Sequence, residues 1–212
     1  MANVKNIIPF VIFGVAWVLL IVSYSSYWYY SRTNPDSDTT YTISYFKHDQ
    51  LKVYAKVGGQ SATAYHSWTS DEKENNKNSF AIANAALAFT IISWVVDTAV
   101  LFFLLLSIIG VLSKIPLPMG IFTRILAVVA VLCSLLGLLI FLGYPNGQLR
   151  DCKAQYDSDL LKDACDQVPQ YKNFAGSDDN VKWGPSTGWI ILIIATALNL
   201  VGCITTGFIA QF

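Results

Sequence analysis

The chain has 212 residues, 54% of them hydrophobic and 13% charged, with no formal net charge. That balance excludes a nucleic-acid partner held by a broad basic surface. The apolar content is gathered into runs at about 7–30, 81–112, 121–144 and 188–210, which excludes an ordinary soluble domain. Each run is long enough to cross a hydrocarbon core of ~30 Å as a helix rising ~1.5 Å per residue. Lipid supplies no hydrogen-bond partner to the backbone, so these runs must be helical. The expected fold is a membrane all-α four-helix bundle, a single domain over 1–212, with a small antiparallel β-sheet in the first extracytoplasmic loop. The lipid bilayer is its first partner.

The first run, 7–30, is followed by no small-x-small cleavage site and is expected to remain as an uncleaved anchor. It closes on Tyr24, Tyr27, Trp28, Tyr29 and Tyr30. Such a cluster suits a belt at the headgroup level, and an aromatic platform for carbohydrate or a partner is the second reading.

The 31–80 loop alternates apolar and polar residues in two stretches. Tyr41, Ile43 and Tyr45 alternate with Thr42 and Ser44, and Leu51, Val53, Ala55 and Val57 with Lys52, Tyr54 and Lys56. A third stretch, Ser61–Trp68, follows Gly58-Gly59. With His48-Asp49 and Gly58-Gly59 as turns, this predicts a three-stranded meander over Thr39–Trp68. His48 and His66 are read as solvated residues of that sheet, and Asp71–Asn78 as a polar surface connection.

Phe80–Leu112 would form a helix of ~50 Å, longer than the bilayer core requires. Its Ala-rich start is expected to project two or three turns outward and support the sheet, with tilting of the helix as the alternative. Asp97 lies within this run, where an ionisable group costs at least ~2.5–3.5 kcal/mol on insertion scales. Ser93 is one turn away, and Asn199 and Thr196 are polar positions on the fourth run. The first reading is a protonated or hydrogen-bonded Asp97 joining helices. Contact with another membrane subunit and ion or proton handling are the alternatives.

Positive charge in short connections orients the chain. Lys5, Lys114 and Arg124 have no acid beside them, whereas the 31–80 loop has six basic and six acidic residues and the 145–187 loop five and seven. Both termini and the 113–120 link are therefore expected in the cytoplasm, with both long loops outside or in a lumen. The membrane is a plasma membrane or an endomembrane.

The third run carries Ala127, Ala130, Ser134 and Gly137 at helical spacing, and the fourth carries Gly188, Ala195, Gly202 and Thr206. Small residues let helix backbones approach closely, within the bundle or against another protomer. Cys133 and Cys203 sit in these runs as packing residues.

In the second loop, Arg150–Val168 is compatible with helix until Pro169. Cys152 and Cys165 form the loop's cysteine pair, expected to be a disulfide if that side is oxidising. A straight helix would hold them ~20 Å apart, against a Cα reach of ~6 Å, so the chain must turn back near Tyr156–Asp159. Trp183 and Trp189 flank the entry to the fourth run and are expected to anchor it at the interface. No catalytic triad, phosphate loop or metal-ligand spacing is visible, so no enzyme activity, cofactor or metal is assigned.

A short cytoplasmic N-terminus, a β-rich first outer loop, a short inner turn and a smaller second outer loop together resemble the claudin and peripheral-myelin-protein superfamily. The claudin first-loop signature, Trp…Gly-Leu-Trp…Cys…Cys, is absent: that loop has Trp68 and no cysteine. No family residue is carried over. The resemblance implies a structural protein that assembles laterally, mediates adhesion or organises a membrane, with copies of itself or other membrane proteins as partners. An accessory subunit of a larger membrane complex, such as a channel, is the alternative, followed by an oligomeric pore using Asp97.

Overall fold

A computed structural model describes residues 4–34, 37–112 and 119–210. Lys114 and most of the 113–120 link lie outside the described residues. The elements run α1 (Ile7–Ser25), β1 (Tyr29–Thr33), β2 (Thr40–Phe46), β3 (Gln50–Val57), β4 (Gln60–Ser67), α2 (Ser70–Asn75) and α3 (Lys77–Ile108). They continue with α4 (Met119–Phe141), α5 (Tyr144–Ala154), α6 (Asp159–Asp166), β5 (Gly176–Ser177), β6 (Val181–Pro185) and α7 (Thr187–Phe208). The chain divides into two compact units.

The first unit comprises residues 4–25, Leu87–Leu138 and Ile191 onward. It is built from α1, α4 and the larger parts of α3 and α7, the helices long and apolar enough to cross a membrane. Phe13, Val100, Leu104 and Ala127 form a buried cluster. Outward-facing residues such as Val11, Val15, Ile125, Leu132, Leu200 and Ile204 are apolar as well. A surface that greasy is stable in lipid and aggregates in water.

The small residues occupy the packed faces. Ala127, Ala130, Ser134, Gly137, Ala195 and Gly202 are all buried. A Cβ on Gly202 would come within 2.8 Å of the Phe13 ring, so α7 approaches α1 through a position that has no room for a side chain. A few polar ties cross between helices. Asn6 Nδ2 donates to Ser107 Oγ, and Trp17 Nε1 donates to Thr98 Oγ1 at 2.8 Å.

The second unit, Ser26–Ala86 with Leu139–Ile190, contains a six-stranded antiparallel sheet in the order β4-β3-β2-β1-β6-β5. The anticipated meander is present as β2–β3–β4. Gly58 and Gly59 turn the β3–β4 hairpin with positive φ of 58° and 88°, a conformation glycine adopts without steric penalty. The sheet is larger than the sequence reading has it and is not confined to the first loop. β1 pairs with β2 on one side and with β6, from the second loop, on the other: Arg32 stands opposite both Ile43 and Lys182. The first apolar run is accordingly shorter as a helix than 7–30, because its tail is drawn into β1.

The 71–78 connection also differs, since α2 occupies much of it. Thr69 Oγ1 accepts from the Glu72 amide while the Glu72 carboxylate accepts from the Thr69 amide, a reciprocal capping box that starts the helix. The Thr69-x-x-Glu72 spacing was the available signal.

Candidate functional site

The two faces of the sheet follow from strand alternation. One face bears Tyr29, Phe46 and Trp183 and is covered by aromatic residues from the second loop. Tyr29, 2% exposed, lies 5.1 Å from the Tyr144 ring and 5.8 Å from Phe174. Trp28 meets Phe141 edge to face, and Phe174 packs on Trp189 at 5.0 Å. Trp183 is 3% exposed and donates through Nε1 to the Asn173 carbonyl. Burial pushes the Tyr29 and Tyr144 hydroxyls above the ordinary phenol range.

Aromatic residues expected at the headgroup level are packed within this unit. Trp28, Tyr29 and Trp183 are interior residues of the sheet unit, and Tyr27 bonds Gln50 Oε1 through its hydroxyl. Trp189 is half-buried against Phe174.

Asp151 ties the second loop to the start of α3. It is 2% exposed and accepts from the amides of Asn78 and Ser79 at 2.9 and 2.8 Å, from Asn78 Nδ2 at 2.8 Å and from Ser79 Oγ at 2.6 Å. These amides belong to the first turn of α3, which has no intrahelical acceptor for them, and a carboxylate complements that end of the helix dipole. Close approach is possible because Gly147 on α5 has no side chain; a Cβ there would lie 2.9 Å from Ser79 Cα. Sequence reasoning missed Asp151, whose partners lie 72 and 73 residues away.

Cys152 and Cys165 are joined as a disulfide with Cα atoms 6.1 Å apart. The interval between α5 and α6, residues 155–158, supplies the required reversal. Lys153 and Asp166 reinforce the same turn with a 2.8 Å ion pair.

The opposite face of the sheet carries Arg32, Lys52, Lys56 and Lys182 interleaved with Tyr30, Tyr41, Tyr45, Tyr54 and Tyr65, and no carboxylate projects from its strands. The cations rest on the rings. The Arg32 guanidinium sits 4.4 Å from the Tyr41 centroid, and Lys52 Nζ 5.6 Å from Tyr45. A pocket of about 330 Å³ opens on this face, lined by Arg32, Lys182, Tyr30, Tyr45, Ser186 and Thr187 among others.

The edges of the sheet differ. β5 is a two-residue strand, whereas β4 is eight residues long and exposed at every position. At the far end of β4, His66 Nε2 meets the Glu72 carboxylate at 2.8 Å. The Thr69 amide bond, then His66 and the Thr69 hydroxyl, hold Glu72 down at a pKa of about 2. Burial pushes His48, in the β2–β3 turn, below the usual imidazole range.

Within the helical unit, Ser93, Asp97 and Asn199 come together. Ser93 Oγ donates to the Ala130 carbonyl at 2.9 Å, and Asn199 Nδ2 reaches Ser93 Oγ at 3.5 Å. Asp97 is fully buried beside Asn199. No described residue gives either Asp97 carboxyl oxygen a hydrogen bond of normal geometry. No cluster of three or more metal-ligating side chains occurs among the described residues.

Over 66 residues the chain is 32% identical to an uncharacterized transmembrane protein of Dictyostelium discoideum. The chain is a transmembrane protein. The match covers 31% of this chain and spans about a quarter, 26%, of that relative. No protein-family model matches the sequence.

Proposed function

We propose that this protein is a structural four-span membrane protein that assembles laterally with copies of itself through its extramembrane sheet. The observation that carries this reading is β4. Its outer edge presents eight residues with no proline, lysine or arginine, and no described strand pairs with it. Protein edges are ordinarily blunted by such residues, because a free row of amides and carbonyls recruits another strand. The layout resemblance to claudins and peripheral myelin proteins supports the same reading. The disulfide suits an oxidising compartment, so the sheet faces outward or into a lumen and the termini lie in the cytoplasm.

Proline at Thr63 tests the reading. Val57 and Gln60 close the hairpin as a bonded pair, so alternation turns the Thr63 amide away from β3. Thr63→Pro should therefore preserve the sheet and abolish pairing at this edge. Native mass spectrometry after mild extraction is expected to give homo-oligomers for the unaltered protein and monomers for the variant. A fixed stoichiometry with unrelated subunits would favour an accessory role, and oligomers unaffected by Thr63→Pro would refute edge assembly.

A further inference from the structure

The pocket on the basic face of the sheet has no place in the assembly reading, and its chemistry is specific. Arg32 and Lys182 are register partners across β1 and β6, so their side chains leave the sheet side by side. Two neighbouring cations make a local excess of positive charge that an anion between them would offset. Among the described residues neither has a carboxylate within ion-pair distance; the ion pairs of this unit lie elsewhere, at Lys47–Asp49, His48–Asp49, His66–Glu72, Lys153–Asp166 and Lys162–Asp159. Arg32 Nε is buried and finds no hydrogen-bond acceptor among the described residues. Its Nη2 has only a long 3.4 Å contact to the Ser37 carbonyl. A buried guanidinium donor without an acceptor costs free energy in the isolated protein, and an anion in the pocket would recover it.

The remaining lining suits an oxyanion with several oxygens. Ser186, Thr187, Tyr30 and Tyr45, each a hydroxyl-bearing residue, line the same space, and a guanidinium fork matches phosphate geometry. A volume of about 330 Å³ exceeds that of a bare ion and falls at the small end of the ~300–1,000 Å³ typical of ligand sites. Thr187 and Ile190, also in the lining, belong to the first turn of α7, the apolar helix that begins here. The start of a spanning helix is where headgroup phosphates are concentrated.

We infer that this pocket binds a phosphate-bearing anion between Arg32 and Lys182, at the level where α7 enters the membrane. The phosphate can be that of an anionic phospholipid headgroup or of a free phosphate ester, since both present the same oxygens to the same donors. The inference does not depend on strand-edge assembly, and Thr63→Pro should leave it untouched.

Native mass spectrometry of the full chain in detergent provides the test, with phosphatidylglycerol, phosphatidylcholine and glycerol 3-phosphate as probes. Phosphatidylglycerol should be retained in preference to phosphatidylcholine, and R32Q/K182Q should weaken its binding about tenfold, the loss of at least one charge-assisted contact. K52Q/K56Q, on the same face but outside the pocket, should change it less than about twofold. Competition by glycerol 3-phosphate with the same residue dependence supports the site and identifies a free ester as a competent ligand; retention of the lipid without such competition supports the site and identifies the headgroup as the source. Exposed Lys182 gives a single variant, K182Q, that keeps the test open if the double variant does not fold. Equal retention of the two lipids, or equal weakening by the two double variants, would overturn the inference.

Discussion

The helical unit and the sheet unit solve the same problem, satisfying polar groups, in opposite ways. In the helices the backbone satisfies itself, and side-chain ties join individual pairs, among them Asn6 to Ser107, Trp17 to Thr98, Ser93 to Ala130 and Asn199 to Ser93. Close contact comes from small residues such as Gly202 against Phe13. In the sheet unit, strands carry backbone partners across large sequence distances, an aromatic core lies under one face, and Asp151 alone gathers donors from two residues. The difference teaches that lipid and water select different adhesives. Where the exterior is hydrocarbon, burying apolar area yields no advantage over exposing it, so packing and backbone proximity remain. Where the exterior is water, a core and a satisfied polar network do the holding.

The largest expected separation between the units comes from Asp151→Ala. It leaves the first amides of α3 without an acceptor in a buried place, at a cost of about 3 kcal/mol. Hydrogen exchange should show protection lost across β1, β6 and the start of α3, while α1 and α4 keep theirs; uniform loss in both units would break the comparison. Cys152→Ser with Cys165→Ser opens a loop of 13-residue separation and should cost about 3 kcal/mol in the same unit, read as a lowered thermal midpoint.

Gly202→Ala probes the other unit. Its Cβ would meet the Phe13 ring at 2.8 Å, and overpacking of this kind costs about 1–3 kcal/mol. Thermal unfolding in detergent should report it, with sheet protection unchanged. The smallest effect is electrostatic. Glu72 has its folded pKa lowered from 4.5 to about 2, so the folded state favours the ionised carboxylate. That contribution is complete above pH ~4.5 and is lost as pH falls toward about 2. Protection of the α2 amides, taken relative to intrinsic exchange at each pH, should fall over that window in the native protein, and Glu72→Gln should flatten the dependence.

Much of the fold was legible because it is written in short-range periodicity. The apolar runs fall on α1, α3, α4 and α7, the alternating stretches fall on β2 and β3, and Gly58-Gly59 marks their hairpin with β4. The Cys152–Cys165 spacing required a reversal that residues 155–158 provide. Among the candidate residues, Ser93, Asp97 and Asn199 meet, and the small-residue stripes are buried.

Local pattern could not tell where β1 belongs. Tyr27–Tyr30 reads equally well as the end of a membrane helix or as the start of a strand, and its partner β6 lies some 150 residues further along. The pairing of Arg32 with Lys182, the role of Asp151 and the interior place of Trp183 all depend on that one alignment. A residue's own sequence determines the period with which its neighbours repeat, and hence helix or strand and the apolar side of each. Which distant side chain it meets depends on how those elements share a common core, so the aromatic interior, the basic face and its pocket came only from the tertiary structure.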